Sequence, residues 1–256
     1  AHGTSGELDQ LSATTSKVLV WPCDAGEVMH VQMISGLTYG ALRPRGVWHA
    51  AGMLADAMLH KQTADALARV SAPKAGAASL LHGAYSTTPL YSCVLFSSVA
   101  ALLGGAGQAN YAAANCCIDA LALWRRSSSQ AGVSINWGAW AEVGMAARGA
   151  ASERMAAMEK ATGFGRIAPA QGLAALQFAA LPLSPANMGV LPIKWDKFLA
   201  KSVPAFLSGM ASSTPKRAAA TVQRSAGAGP TTTTSLETVL QIVKNTAGSA
   251  VDADAP

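Results

Sequence analysis

The sequence "YSCVLFSSVAALLGGAGQANYAAANCCIDALALWRR", residues 91–126, places a β-rich run, a glycine-rich turn and an alanine-rich stretch in direct succession. The run at 91–98 is rich in β-branched and aromatic residues, which predicts a buried strand that ends in Ser97 and Ser98. The stretch at 108–127 is predicted to be a helix that carries Tyr111 and Asn115 near its start. A strand that leads into a helix in this way is typical of a βαβ unit.

Similar β-rich runs recur on both sides of this segment. Strands are predicted at 17–21, 45–52, 91–98, 132–138 and 188–195, and helices at about 26–38, 63–86, 108–127, 151–161 and 169–180. Pro73 is expected in the first turn of a new helix rather than in the middle of one. Strands alternating with helices predict an α/β fold with a doubly wound, parallel, Rossmann-like sheet.

Composition excludes several classes of function. The net charge is +5, but the 19 lysines and arginines are scattered, which argues against a nucleic-acid-binding role. Neither the four cysteines nor the five histidines have metal-ligand spacing, so no metal is predicted. The cysteines are interpreted as small buried residues in a reducing compartment. Polar residues interrupt every long apolar run and no signal peptide is recognisable, so the prediction is a cytoplasmic protein without a membrane span.

The residues at the end of the central strand suggest carbonyl chemistry. In an open parallel sheet, ligands bind outside the carboxyl ends of the strands, where Ser98 is predicted to lie. Tyr111 and Asn115 share one helical face, so the hydroxyls of Ser98 and Tyr111 can converge on one carbonyl oxygen. Such a pair could polarise the carbonyl while the phenol donates a proton and a cofactor supplies hydride. The run "FSSVA" lacks the Gly-x-Ser-x-Gly pattern of serine hydrolases.

A phenol with a pKa of about 10 needs a nearby ammonium group to act in this way. Many short-chain reductases supply a lysine four residues after the tyrosine, but that position is Asn115 here. The lysine must therefore come from elsewhere in the chain if the site is active.

The segment 94–126, followed by "SINWGAWAEVGMA" at 134–146, closely resembles the ketoreductase domain of modular type I polyketide synthases. This family is a branch of the short-chain dehydrogenase/reductase superfamily, and the resemblance covers roughly residues 1–206. In the family the lysine comes from the preceding long helix, which here contains "SAPKAGAASLLH" and Lys74. The resemblance implies that Tyr111 donates the proton and Ser98 binds the substrate carbonyl. It further implies that Lys74 gives electrostatic support and contacts a ribose, and that Asn115 relays protons or positions groups.

The resemblance also implies NADPH as the cofactor. Its implied contacts, besides Lys74, are Asp24 near the adenine, Ala50, Ala51 and Gly52 under the nucleotide, and Trp137 and Gly138 beside the nicotinamide.

Product stereochemistry can be read by the same resemblance. A Leu-Asp-Asp motif marks one product class, and a tryptophan eight residues before the tyrosine marks the other. Here the first motif is "LAD" at 54–56, which keeps Asp56, and the tryptophan position is Leu103. These positions favour a D-configured 3-hydroxyl. Met145 is assigned to the same substrate-facing group, and residues 144–176 resemble the family's mobile lid over the cleft.

The strand, glycine-rich turn and helix that bind pyrophosphate in this family do not occur in the sequence. We expect them upstream of Ala1, because the chain does not begin with Met and resembles a fragment. The family order 3-2-1-4-5-6-7 would then lack its first two strands, and the strand at 17–21 would be separated from that at 45–52. The expectation is poor folding or non-family strand pairing, with weak cofactor binding and no activity for this chain alone.

The composition changes after residue 206. Residues 1–206 are predicted to be the partial ketoreductase domain, 207–234 a flexible linker rich in Ala, Ser, Thr, Gly and Pro, and 235–256 the beginning of an acyl carrier domain. The serine that carries the carrier's phosphopantetheine is expected beyond Pro256. The implied partners are this carrier domain and the other synthase domains of the same polypeptide.

The predicted function is therefore NADPH-dependent reduction of a carrier-bound β-ketoacyl thioester to the β-hydroxyacyl thioester. One alternative is a ketoreductase of a related fatty-acid or polyunsaturated fatty-acid synthase. Another is a non-catalytic domain that docks the carrier, since the "LAD" motif is incomplete.

Overall fold

The computed structural model of the protein describes residues 21–41, 44–142, 149–200 and 203–211. These residues fall in two compact units. The larger contains the described residues up to Glu159 together with Phe164–Pro192, and the smaller contains Lys160–Gly163 and the described residues from Ile193 onwards. All strands and all described residues of the predicted catalytic site belong to the larger unit.

The described sheet has four strands, which are β1 (Gly46–His49), β2 (Ser92–Ser98), β3 (Val133–Trp137) and β4 (Asn187–Val190). Their order in space follows the chain, and every neighbouring pair is parallel. Helical connections return the chain to the same end of the sheet after each strand, as parallel pairing requires. The predicted α/β class with a parallel sheet is confirmed.

The described parts of the chain also contain eight α-helices and one π-helical turn. In chain order they are α1 (Val28–Ala41), α2 (Ala64–Ser71), a π-helical turn (Ala72–Gly76), α3 (Ala77–Ala84), α4 (Ala100–Leu103), α5 (Ala109–Ser127), α6 (Gly149–Thr162), α7 (Pro169–Ala179) and α8 (Trp195–Phe198). Two 3₁₀ helices span Leu59–Lys61 and Ala205–Met210. Local sequence explains several starts: the Thr63 side chain accepts a bond from the Ala66 amide and caps α2, and Pro169 is suited to the first turn of α7.

The two faces of the sheet pack on different helices. Leu95 of β2 packs with Ala78 of α3 and with Ile118 and Ala122 of α5. Val94 points to the opposite face, where β3 and α7 complete a second cluster. Because alternate residues of a strand face opposite ways, the continuous apolar run of β2 is buried on both sides. The carboxyl ends of β2 and β3 thus lie between helix layers, where a ligand can reach them.

Strand β1 forms one edge of the described sheet. Among residues 21–41, 44–142, 149–200 and 203–211, no segment pairs with the outer side of β1, so no rearranged strand takes that place. Of the strand predicted at 17–21, only Trp21 is described, and it does not belong to a strand. No helix in the described parts of the chain is both long enough and apolar enough to cross a membrane.

Two local expectations need correction. Pro73 does lie in the first turn of a π-helical segment, but the helix runs through it without a break, with the Ala77 amide bonded to the Ala72 carbonyl. Of the four cysteines only Cys93 is buried, and Cys23, Cys116 and Cys117 are exposed. The last two follow Asn115 on α5 and point away from the face that packs on the sheet.

The start of the predicted linker falls inside an ordered segment. Residues 207–210 belong to the 3₁₀ helix Ala205–Met210, in which Leu207 is buried. Residues 212–256, which hold most of the predicted linker and the whole predicted carrier segment, lie outside the described residues.

Candidate active site

Ser98 and Tyr111 meet at the carboxyl end of β2. Ser98 is the last residue of the strand, and the chain then forms α4 and a turn in which Gly104 and Gly107 adopt φ of 75°. Such positive φ favours glycine, and it lets the chain reverse so that α5 starts beside the strand end. The Tyr111 phenol, on a residue only 8% exposed, interacts with the Ser98 side chain. The structure therefore brings the two hydroxyls together as the sequence predicts.

Burial raises the pKa of Tyr111, and the Ser98 and Asn115 side chains partly offset this rise. A neutral phenol is the form that can donate a proton, so the site keeps Tyr111 protonated at neutral pH. The nearby Asp56 charge acts in the same direction as burial.

Lys74 reaches this tyrosine from the π-helical turn. The residue is 3% exposed, its Nζ donates to the Phe96 carbonyl at 2.7 Å, and Nζ lies 5.5 Å from the centre of the Tyr111 ring. Burial lowers the pKa of Lys74 from 10.5 to about 8, while the charge of Asp119 raises it. An ammonium group against the ring favours the phenolate that remains after proton donation. The lysine absent from the position of Asn115 is thus supplied by another helix.

Asn115 is fully buried one helical turn after Tyr111. Its Nδ2 donates to the Tyr111 carbonyl at 2.8 Å, which ties the side chain to its own helix. Its Oδ1 is buried and has no hydrogen-bond partner in the described part of the chain. A buried acceptor of this kind is costly unless a water or ligand pairs with it, so Oδ1 is available to a group entering the site.

Sequence reasoning missed a polar network beneath these residues. Asp119 of α5 accepts bonds from Ser134 and Asn136 of β3, and Asn136 also donates to Ser97 of β2. All four side chains are buried. The available signal was the spacing of Tyr111, Asn115 and Asp119, which places three polar residues on the buried face of one helix.

A family model described as "KR domain" matches residues 2–142, which is more than half of the chain. The chain belongs to the KR domain family. The fold brings together Lys74, Ser98, Tyr111 and Asn115, the four positions to which the resemblance assigns catalytic roles.

Curated relatives of this ketoreductase domain are polyketide synthases. It is 38% identical over 199 residues to polyketide synthase GfsB of Streptomyces halstedii, which covers 77% of this chain and 4% of that protein. It is 33% identical over 215 residues to Pks1, a phenolphthiocerol synthesis polyketide synthase of Mycobacterium tuberculosis whose name describes it as inactive. The match covers 82% of this chain and 13% of that protein. The chain thus spans a small part of the relatives it matches.

Solved ketoreductases share the fold. The ketoreductase from the first module of phoslactomycin biosynthesis in Streptomyces sp. HK803 superposes with a TM-score of 0.71 at 30% identity, over 78% of this chain and 45% of that one. The fold is the Rossmann-like fold of short-chain dehydrogenases and reductases, in agreement with the prediction. This ketoreductase domain therefore belongs to an oxidoreductase family whose members bind nicotinamide cofactors.

The residues predicted to bind the cofactor lie at two places in the ketoreductase domain. Ala50, Ala51 and Gly52 form an exposed segment after β1 that has no regular secondary structure, and Gly52 lies next to Lys74. A Cβ at Gly52 would come within 2.9 Å of the Lys74 side chain, so only glycine leaves that amine in place. Trp137 is the last residue of β3 and Gly138 follows it, and the buried Trp137 Nε1 has no hydrogen-bond partner among the described residues.

These observations fit a cofactor at the nicotinamide end. An open backbone segment beside Lys74 and an unpaired buried indole N–H are groups that a ribose or carboxamide could satisfy. The described residues contain no glycine-rich turn after β1 that could hold a pyrophosphate. Asp24 is exposed and lies four residues before α1, and its Oδ1 accepts from the Gly26 amide at 2.8 Å.

The predicted stereocontrol residues lie around the turn before Tyr111. Asp56 is exposed and accepts a bond from Gln108 at 3.3 Å. The adjacent Ala57 amide donates to the Gly107 carbonyl at 2.9 Å, so the segment after β1 is tied to the turn. Leu103 ends α4 and is half-buried. Met145 lies outside the described residues, as do the first residues of the predicted lid.

Proposed function

We propose that this site reduces the ketone of a β-ketoacyl thioester to a β-hydroxyl, with NADPH as the reductant. The observation that carries the proposal is the meeting of three groups: the Tyr111 phenol, the Ser98 hydroxyl beside it and the Lys74 amine against the tyrosine ring. Each comes from a different element of the fold. Together they can bind one carbonyl oxygen, give it a proton and stabilise the phenolate left behind.

Each residue of the site has a distinct role in the proposed reduction. Ser98 donates a hydrogen bond to the ketone oxygen and polarises the carbonyl. When bound, the nicotinamide cofactor supplies the hydride that the carbonyl carbon accepts. Tyr111 transfers its phenolic proton to the ketone oxygen, and Lys74 favours the resulting phenolate. The buried Oδ1 of Asn115 accepts a hydrogen bond from water or from Lys74 during reprotonation of the phenol.

The proposed cofactor contacts are the predicted ones. Lys74 would bind a ribose hydroxyl, the backbone of Ala50, Ala51 and Gly52 would lie under the nucleotide, and Trp137 with Gly138 would border the nicotinamide. Asp24 is proposed to lie near the adenine. Preference for NADPH over NADH is proposed on the family resemblance alone.

The proposed substrate is held on the phosphopantetheine arm of an acyl carrier domain. Curated relatives that are large polyketide synthases support partners of this kind within one polypeptide, and the cytoplasm is the proposed location. The D-configured hydroxyl is proposed from Asp56, Leu103 and Met145.

A non-catalytic docking role is the second candidate. Two observations favour it: Ala55 replaces the middle acid of the stereocontrol motif, and one relative is named as inactive. The convergence of Lys74, Ser98 and Tyr111 argues for catalysis, because a docking domain has no need to bury an amine beside a phenol.

The test is reduction of a short β-ketoacyl thioester by the full-length protein with NADPH or NADH. Replacing the general acid in Tyr111→Phe should lower kcat by about 10²–10⁴-fold. Tyr91→Phe is the matched control, because Tyr91 is 71% exposed and remote from Lys74. Wild-type protein that reduces no ketothioester with either cofactor, although it binds the carrier domain, would favour the docking role.

A further inference from the structure

A buried carboxylate lies directly behind the proposed catalytic groups. Asp119 is on α5, four residues after Asn115 and eight after Tyr111, and is 7% exposed. Its Oδ1 accepts from the Ser134 hydroxyl, and its Oδ2 accepts from Asn136 Nδ2 at 2.8 Å. Both partners belong to β3. A buried acidic side chain that is paired only with neutral donors is uncommon in the apolar interface between a helix and a parallel sheet.

The network continues from Asp119 to the strand that carries Ser98. Asn136 Nδ2 also donates to Ser97 Oγ at 3.0 Å and to the Ser98 carbonyl at 3.2 Å. The orientation of the Asn136 amide is set by Asp119, because a carboxylate can only accept. The carboxylate therefore fixes which end of that amide faces the strand, and through it the backbone of Ser98.

Asp119 also supplies negative charge to Lys74. Titratable groups around Lys74 come from several elements: His49 at the end of β1, whose Nε2 lies 3.1 Å from the Lys74 carbonyl, and Tyr111 and Asp119 on α5. Asp56 adds charge near Tyr111. Of these groups, Asp119 is the one whose charge raises the pKa of Lys74 against the effect of burial.

We propose that Asp119 is a positioning residue of the reductase site, which orients Ser98 through Asn136 and whose buried negative charge acts on the Lys74 ammonium. This inference rests on the proposed reductase function. It separates into a charge effect, which depends on Asp119 alone, and a positioning effect, which depends on Asn136 as well.

The charge effect is tested with Asp119→Asn in the full-length protein. Activity of the wild type should fall as pH rises through about 8, where Lys74 loses its proton. Without the carboxylate, this alkaline limb should move to lower pH by on the order of one unit. Asp65→Asn is the matched control, since it removes the same charge from an exposed position. NMR titration of ¹³C-labelled lysines, assigned with Lys74→Met, reads the same pKa without any activity.

The positioning effect is tested with Asn136→Ala, which leaves the charge of Asp119 in place. We expect kcat to fall at least about tenfold while the alkaline limb stays where it is in the wild type. Asp119→Asn should lower kcat as well, because an amide has a donor end and an acceptor end and no longer fixes the orientation of the Asn136 amide.

The outcomes separate the inference from the function on which it rests. An unmoved alkaline limb and an unchanged Lys74 titration in soluble Asp119→Asn would overturn the charge effect. Full kcat in Asn136→Ala would overturn the positioning effect. If the wild type lacks reductase activity but the Lys74 titration still shifts in Asp119→Asn, the proposed function fails and the electrostatic pairing stands.

Discussion

At the level of single residues, the burial of Lys74 sets activity against stability. The folded state buries this amine, whose Nζ donates a hydrogen bond to the Phe96 carbonyl. The lowered pKa of Lys74 means that folding disfavours its charged form. A shift from 10.5 to about 8 corresponds to about 3 kcal/mol at neutral pH. The protein thus keeps the Lys74 ammonium at a position where burial opposes its charge.

Lys74→Met should therefore stabilise the protein and inactivate it. Methionine fills a similar space without charge, and loss of the bond to Phe96 offsets about 1 kcal/mol of the gain. We expect the free energy of unfolding at neutral pH to rise by about 2 kcal/mol, measured by urea titration. The difference should shrink as pH rises from about 8 to 10.5, since there the wild type loses the buried charge.

Lys61→Met is the control for this prediction, because Lys61 is exposed. It should change neither the stability nor the reductase rate. Equal destabilisation by the two substitutions, or an active Lys74→Met protein, would show that Lys74 is an ordinary structural residue.

At the level of elements, the π-helical turn determines where Lys74 points. The turn joins α2 and α3 as one continuous helix with one residue more than an α-helix would use. Val70 before it and Ala78 after it are both buried, in clusters on α5 and on the sheet. The extra residue lets α2 and α3 each turn its apolar side toward its own cluster, so that Val70 and Ala78 can both be buried.

Deletion of Ala75 should restore the α-helical count and break this arrangement. The two halves would rotate by about 100° relative to each other, so one of the two buried contacts must be lost. We expect a lower melting temperature and no reductase activity. Pro73→Ala is the matched control, since it keeps the residue count, and it should keep both properties. A deletion variant as stable and active as Pro73→Ala would contradict this role of the turn.

At the level of the whole molecule, the buried His49 and the half-buried His82 should make stability depend on pH. His82 accepts a hydrogen bond from Arg125 at 2.7 Å, and its pKa is lowered by burial and by the arginine charge. The pKa of His49 is lowered mainly by burial. Both are neutral in the fold, so their contribution is present above pH 6.5 and is lost as pH falls through the lowered values.

We expect the urea midpoint of unfolding to fall between about pH 7 and pH 5. His82→Gln keeps a neutral acceptor for Arg125 and should reduce this fall, whereas His60→Gln, at an exposed position, should not. An identical pH dependence in all three proteins would exclude His82 as a cause.

Much of this architecture is predictable from the sequence. The β-rich runs around Val94 and Ile135 are buried on both sides, and continuous apolar runs of that length predict parallel strands. The meeting of Ser98 and Tyr111 follows from the strand, turn and helix order.

The exceptions have physical causes. Cys116 and Cys117 were expected inside from their residue type, but the helical period of α5 places them opposite Asn115 and Ile118. The π turn at Pro73 depends on contacts of both flanking helices, which no local pattern reveals. The hydrogen-bond network of Asp119 is not predictable from the sequence, because its partners Ser134 and Asn136 lie on a strand whose apolar residues dominate the pattern.

The most direct test follows the hydrogen atoms of the proposed reaction. The full-length protein would be given a β-ketoacyl thioester and NADPH carrying deuterium at the transferable position, and the product analysed by mass spectrometry and NMR. Our account predicts deuterium on the hydroxyl-bearing carbon with wild type and Tyr91→Phe, and almost none with Tyr111→Phe. Labelled product at the wild-type rate from Tyr111→Phe, or none from the wild type, would contradict it.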